Sequence, residues 1–427
     1  MDRSTASSRR AVARAAAHRV ACGAPRRYRG SLGAFAWLAC GGVAAGQGWL
    51  EQERLTGEWG GARTSLAEAG IAIEGGWTAE LARVLDGGVR ERTTFHNLLD
   101  VNVTFDLEAL AGLPQVTLFL DAYSVNGRQL SNDVGDLQAV SNLDSAPVHQ
   151  IAEVWYEQLF DDGEWRVKLG KIDANSEFSV VENSGELLHS SLAVSPTTGA
   201  PIYPDPATAI CAFWSVSESW CLSAGCFDGA GQEGVRTGGR GPKTFFSAPD
   251  DLYWIAECCA RWCCNDGRLP GRAAFGLSHH SGTFDRFDGG TDDGTETFYA
   301  TFDQLFWREH GDDPEELQGI GAALLLGLAD EKVSEVARHA ALGVQWAGLV
   351  DGRDDDVLAF ALSWADLSSE AGAGFGEGEE IALELAWKVQ VTPWLVVRPD
   401  LQRVFQPGGD ASLDDAWVGM VRVDVTL

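Results

Sequence analysis

Lys171, Asp173, Asn175 and Glu177 stand at alternate positions in Leu169–Phe178 (LGKIDANSEF). Upstream, Glu153 and Glu157 bracket Trp155 at the same spacing, and Arg166 and Lys168 repeat it with the opposite sign. Asp100 and Asp121 lie in two further alternating runs. Residues two apart on an extended chain share a face. These side chains therefore form rows of charge of both signs, the lining of a water-filled space rather than one catalytic centre.

The other motifs that resemble chemistry fail on spacing. Cys258-Cys259-Ala260-Arg261-Trp262-Cys263-Cys264 looks like a metal motif, but it falls on an alternating strand, where neighbouring sulfurs point to opposite faces and do not converge tetrahedrally. With Cys211, Cys221 and Cys226 the count beyond the leader is odd, so at least one thiol is free or intermolecular, and small apolar wall residues are the expected role. The acidic stretches Asp285–Glu296 and Asp351–Asp356 lack calcium-loop spacing, since Phe287 and Gly289 occupy ligand places in the first. The glycine run Gly374–Gly378 is followed by Glu379 and Glu380, wrong for holding phosphate. No HExxH or GxSxG occurs, and nothing in the sequence sets an acid beside His279-His280-Ser281. Neither a metal nor a cofactor is expected.

The elements that must position these rows are strands. The 427 residues include 50 Gly, 16 Trp and 19 Phe but only 2 Met, a composition of many strands and turns. Leu98–Leu107 sets Asp100, Asn102, Thr104 and Asp106 against Leu99, Val101, Val103 and Phe105. Val116–Tyr123 sets Thr117, Asp121 and Tyr123 against Val116, Leu118 and Leu120. Gln150–Gln158 sets Glu153 and Glu157 against Ala152, Val154 and Tyr156, and Arg422 and Asp424 alternate with Val421, Val423 and Val425. Segments of this kind begin near Ile71, Asn97, Gln115, His149, Glu164, Thr208, Ser219, Leu252, Gly271, Glu296, Gln318, Arg338, Asp356, Glu379, Trp394 and Ala416. Asp161–Gly163 is a tight turn, whereas Asn126–Val148, Ile172–Thr208 and Asp228–Asp250 are long. Short turns at one end and long loops at the other predict an all-β fold, an outer-membrane transmembrane antiparallel β-barrel of about 16 strands. A charge facing lipid would cost ~2–4 kcal/mol near the midplane, so the charged faces belong inside.

Ahead of the strands, Arg3, Arg9, Arg10, Arg14, Arg19, Arg26, Arg27 and Arg29 precede the uncharged Ser31–Gly46, the pattern of an export signal cleaved near Ala45 or Gly46. That apolar stretch falls short of the ~20 residues of a spanning helix. Trp37 stands where a lipidation site at Cys40 wants an aliphatic residue. The expected organisation is a signal peptide over 1–46, a periplasmic segment over 47–70 with a short helix at Ala62–Ala69, and a porin barrel over 71–427. The net charge of −30 becomes −37 once the leader, with its eight Arg and one Asp, is removed. Such a surface excludes nucleic-acid binding and disfavours anionic substrates.

Leu55–Ile71 (LTGEWGGARTSLAEAGI), Gly135–Pro147 (GDLQAVSNLDSAP), Glu153–Gln158 (EVWYEQ), Leu169–Phe178, Ser278–Phe284 (SHHSGTF), Asp303–Glu309 (DQLFWRE), Asp351–Phe360 (DGRDDDVLAF) and Val391–Gly409 (VTPWLVVRPDLQRVFQPGG) together resemble the carbohydrate-selective porins of the OprB type, in family order along nearly the whole chain. The resemblance implies a sixteen-stranded outer-membrane barrel passing monosaccharides and related polyols into the periplasm. The final Leu427, where such barrels usually end in Phe, and the frequent cysteines depart from the pattern.

A sugar hydroxyl both donates and accepts, so a constriction with a guanidinium facing a carboxylate suits it. Arg128 and Glu153 resemble the family's eyelet residues in position and are the first candidates for such a pair. The alternative is an Arg that pins its loop and a Glu that lines the wall. Trp155 shares the parity of Glu153 and Glu157 and is the lumen aromatic, whereas Trp214, Trp254 and Trp307 belong to interface girdles. Lys171, Asp173, Asn175 and Glu177 open a loop long enough to enter the pore, where they either contact sugar or lock the loop by ion pairs. Asp121 completes the candidate substrate-binding set. The expected partners are small neutral sugars, outer-membrane lipid and lipopolysaccharide, with the barrel a monomer or a homotrimer. The rival functions are a barrel enzyme acting on a glycoside through paired carboxylates, and a soluble exported sugar-binding β protein.

Overall fold

The computed structural model describes residues 48–236, 241–246, 249–265, 268–309 and 318–427. The proposed signal segment lies outside them. Sixteen strands close into one antiparallel barrel in sequence order, the last pairing with the first. They are β1 (Ile71–Asp86), β2 (Thr93–Asp106), β3 (Val116–Gly127), β4 (Val148–Phe160), β5 (Trp165–Ile172), β6 (Ala207–Ser215), β7 (Trp220–Asp228) and β8 (Leu252–Cys264). The second half comprises β9 (Leu269–Asp285), β10 (Thr291–Arg308), β11 (Gly319–Ala329), β12 (Val336–Ala347), β13 (Val357–Leu367), β14 (Glu379–Thr392), β15 (Leu395–Phe405) and β16 (Ala416–Thr426). All sixteen expected segments are present, with β2 and β10 starting several residues earlier than the alternation indicated.

Alternation fixes inside and outside. Along β16, Val418, Met420, Arg422 and Asp424 are buried inward while Val421 faces out, exposed. Outward aromatics gather at the edge with short turns: Trp165 stacks on Trp214 at 4.9 Å, and Trp220, Trp307, Trp346 and Trp387 are exposed near it. Trp254 faces out near the opposite edge, so Trp214, Trp254 and Trp307 all lie on the outer wall. This is the girdle arrangement of a barrel in lipid.

Two alternations break. In the pairing of β3 with β4 the register shifts between Asp121 and Ala122, which face Glu153 and Ile151. This β-bulge turns Ala152 onto the same inner face as Glu153, where it packs with Leu98, Tyr123, Val125 and Leu143. The expected opposition of Ala152 and Glu153 is therefore wrong. Asp106 likewise leaves its row: it caps helix α2 (Leu107–Ala111), its Oδ1 accepting from the N–H groups of Glu108 and Ala109.

Before the barrel, helix α1 (Ala62–Glu68) follows the Gly60-Gly61 pair, whose φ values of 68° and 94° favour glycine. Arg63 stacks over Trp59 at 4.2 Å and donates to the main-chain oxygens of Ile73 and Leu427. Trp49 packs on Trp394 at 4.7 Å. The segment thus lies against the end of the barrel that carries the short turns.

Two long loops fold into the lumen. Residues 128–147, which include helix α3 (Ser131–Val134), bury Leu130, Val134 and Val140 against Ala82, Val84, Val404, Val418 and Met420. Residues 173–206 lay Val181, Leu187 and Leu192 on an inner wall of Ala323, Leu325, Ala341, Ala359, Ala361 and Ala386. That wall is built for close approach. A Cβ at Gly321 or Gly343 would meet Asn183 or Ser184 at 1.8 and 2.8 Å.

Candidate constriction site

The acids that alternation sends inward do not all line water. Glu153 accepts the N–H of Asp173 at 3.1 Å, and Glu257 that of Ser179 at 2.9 Å. Asp303 accepts the N–H groups of Glu182 and Asn183. Glu380 takes those of Leu137 and Gln138, and Glu384 those of Leu188 and His189. Each of these carboxylates satisfies buried loop amides that would otherwise be left without a partner. The rows of acid are in large part latches for the two infolded loops.

Where the second loop leaves the wall, β4, β5 and the loop converge. Arg166 bonds Glu157 at 2.9 Å and Glu177 at 2.5 Å, and Lys168 bonds Glu177 at 2.7 Å. Burial pushes the Glu177 carboxyl up, but the Lys168 and Arg166 charges outweigh it and hold the group at about 2. Asp173 caps the following turn, accepting from the N–H groups of Asn175 and Tyr203, and burial raises its carboxyl to about 6 against those bonds. Asn175 donates to the carbonyls of Phe178 and Ala193, tying the loop's outgoing limb to its return. Gly170, at φ 143°, allows the chain to turn here, since a Cβ would lie 2.1 Å from the Val154 oxygen. Lys171 then reaches the Ile151 carbonyl at the bulge, 2.8 Å away.

Trp155 faces the lumen but is only 6% exposed, stacked on Phe119 at 4.7 Å with Lys168 Nζ 3.8 Å above its ring. Asp121 stands opposite Glu153 on β4 and Asn102 on β2, with Asp100 two residues along the same face of β2. Arg128 and Glu153 are not brought together. The Arg128 guanidinium lies 3.6 Å from Asp133, beside Arg90 and Arg92 on the same carboxylate, which is the loop-pinning arrangement.

Five to seven strands from β5, counted through the β1–β16 seam, stands a second group. Glu186, on the infolded loop, bonds Lys388 at 3.1 Å and Arg398 at 3.0 Å, and Arg398 also lies 3.5 Å from Asp424. Burial raises the Glu186 carboxyl less than Arg398 and Lys388 lower it, so it stays below its ordinary value. Arg166 is 28% exposed, Glu186 23% and Lys388 20%, so both groups open onto the remaining lumen. Sequence reasoning missed this second group. Its wall residues were nonetheless visible, because Lys388, Arg398 and Asp424 all fall on inward positions.

The cysteines need a correction. Cys221 and Cys259, directly opposite on β7 and β8 and both facing inward, form a disulfide, so these two are not merely wall fillers. Among the described residues, Cys211, Cys226, Cys258 and Cys264 form no disulfide. His279 does have an acid beside it, Glu296 at 3.0 Å on the outer face, but the Ser281 hydroxyl accepts from the Leu252 N–H and joins no triad. In the acidic stretches Asp288 and Asp292 pair with Arg286, and Asp356 with Arg353.

A family model described as carbohydrate-selective porin, OprB family, matches residues 92–427. The chain belongs to this family. It is an outer-membrane porin for the diffusion of sugars. Porin B of Pseudomonas aeruginosa is 24% identical over 422 residues, 87% of this chain and 91% of that protein. The putative porin QuiX of Acinetobacter baylyi is 21% identical over 419 residues, covering 86% and 92%. Among solved structures, the high-pH structure of Pseudomonas putida OprB matches with a TM-score of 0.79 at 19% identity, covering 88% of this chain and 99% of that one. The low-pH structure of the same protein matches at 0.60. At these identities the structural likeness speaks for the fold.

Proposed function

We propose that this porin is a passive, non-enzymatic channel for monosaccharides and similar neutral solutes. Its constriction lies between the Glu157–Arg166–Lys168–Glu177 group and the Glu186–Lys388–Arg398–Asp424 group. The carrying observation is that a loop latched across the lumen presents partly open charges of both signs on two separate parts of the wall. A hydroxyl-bearing solute passing between them finds donors on the guanidinium and ammonium groups and acceptors on the carboxylates. Binding shared over many weak contacts lets it leave again. Asp121, Glu153, Trp155, Lys171, Asp173 and Asn175 stand behind this gap, where they hold the loop and shape the wall. Arg128, with Arg90 and Arg92, lends positive charge to the outer mouth. Paired carboxylates alone do not make the barrel a glycosidase, since Glu157 and Glu177 are committed to Arg166 rather than poised as acid and nucleophile.

Residues 1–46 act in this reading as a cleaved export signal. Protein for the test is purified from the outer-membrane fraction, with its N terminus expected near Gly46, and reconstituted into liposomes. Glucose and an uncharged polyol are expected to swell the vesicles faster than a disaccharide, beyond the difference set by size. Equal size-corrected rates would show a general pore instead.

A further inference from the structure

Arg261 faces inward on β8, at the same parity as the buried Tyr253, Ile255, Glu257 and Cys259, near the edge with short turns. Directly across on β9 stands Arg272. Like charges opposed across two strands destabilise a sheet, so such a pair calls for an explanation. Arg272 is neutralised by Glu257 and donates to the Val180 carbonyl at 2.8 Å. Arg261 is not. Its Nε is buried without a partner, and among the described residues its guanidinium makes no hydrogen bond or ion pair. Among the described residues, several other inward cations have carboxylate partners: Arg166 and Lys168 pair with Glu177, Lys388 and Arg398 with Glu186, and Arg422 with Glu80.

We infer that Arg261 is an open sugar-binding fork in the periplasmic half of the lumen, a station separate from the locked group on β4 and β5. This rests on the sugar-channel reading and adds a residue to it. A planar guanidinium presents parallel donors that match two adjacent hydroxyl oxygens, which a flexible ammonium does not. The local charge selects a neutral ligand. Arg272 and Arg166, the cations near Arg261, are each paired to carboxylates, and the Glu182 and Glu257 charges lie within electrostatic reach of Arg261. No cluster of positive charge therefore builds up to hold an anion. The wall beneath the fork is rigid: the Cys221–Cys259 disulfide staples β7 to β8 two residues away on the same face, and the Arg261 N–H is held by the Ser219 carbonyl.

The test is glucose-dependent block of ion current through single channels in planar bilayers. Arg261→Ala is expected to weaken the apparent glucose affinity roughly tenfold, the loss of a charge-assisted hydrogen bond, while open-channel conductance changes less than about twofold. Arg261→Lys restores only part of the block, and Arg338→Ala, on the outer wall, leaves it unchanged. Arg261→Gln serves if the alanine variant does not assemble. Unchanged block in both Arg261→Ala and Arg261→Gln overturns the inference, as does wild-type protein that swells liposomes in glucose but shows no block. Loss of gluconate block with glucose block retained also overturns it, because the site would then take an anion. Wild-type protein that neither swells nor blocks refutes the sugar-channel reading itself.

Discussion

At the scale of single residues, the lumen distinguishes groups that hold loops from groups that face the solute. His189 shows the first kind. It is 1% exposed at the far end of the infolded loop, and its N–H is taken by Glu384 from β14. His339 of β12, bonded to Ser363 of β13, lies close by, and Gln138 of the first loop closes the pocket. Burial lowers the His189 imidazole to about 4 from its ordinary 6.5. A released loop would therefore take up a proton near 6.5, the packed loop only near 4. The stability that packing contributes is complete above about 6.5 and declines as the pH falls towards 4, by at most roughly 3–4 kcal/mol at 1.4 per unit. Asp173, raised to about 6, works in the opposite direction, its contribution being present at low pH and lost as the pH rises through 6. Glu177, at about 2, stays ionised throughout. Between pH 7 and 4.5 proteolysis within residues 173–206 is expected to change little in the wild type, where the two groups oppose each other, and to fall in His189→Gln, where Asp173 acts alone. The same profile in the wild type and in His189→Gln would mean that the imidazole does not report on the loop.

At the scale of elements, alternation in the sequence was enough for the strands and insufficient for the loops. Every strand announced itself because one face must be apolar in lipid, a constraint felt by residues two apart. The bulge at Glu153 did not, since an inserted residue leaves Ala152 looking like any outward alanine. Arg128 was ambiguous because its partner Asp133 lies on its own loop, and local pairing competes with pairing across the lumen. Arg261 was overlooked inside a cysteine cluster that drew attention to sulfur. The signal available was its parity with Glu257 and its opposition to Arg272. What no period could reveal is that Ala and Gly on the inner faces of β11–β14 form a seat for Val181, Leu187 and Leu192. Leu187→Ala deletes one of these anchors, and a fully buried leucine replaced by alanine costs ~2–5 kcal/mol. Protease entry into 173–206 and a noisier, larger conductance should follow, while the barrel keeps its heat-modifiable mobility on gels. If the loop stays as protected as in the wild type, the apolar seat is not what holds it.

At the scale of the whole molecule, closure is the condition for everything inside. β1 and β16 pair from Gly76–Thr426 to Asp86–Trp417, so no edge meets lipid. The end of that seam nearest the short turns has one further fastening. Arg63 donates to Ile73 on β1 at 3.2 Å and to the main-chain oxygen of Leu427 at 3.1 Å, bridging the two sides, while Leu55 N–H reaches Thr426. Hydrogen bonds from a charged donor contribute ~1.5–3 kcal/mol, and a single guanidinium here serves both strands at once. Arg63→Ala is therefore expected to lower the temperature at which the folded band converts to the unfolded one on gels and to speed cleavage in residues 48–70. Arg63→Lys should restore little, because a point donor on a flexible stem does not span both carbonyls. An unchanged conversion temperature in the alanine variant would show that the main-chain pairing of β1 with β16 closes the barrel without this clip, and that the leading segment merely rests against the wall.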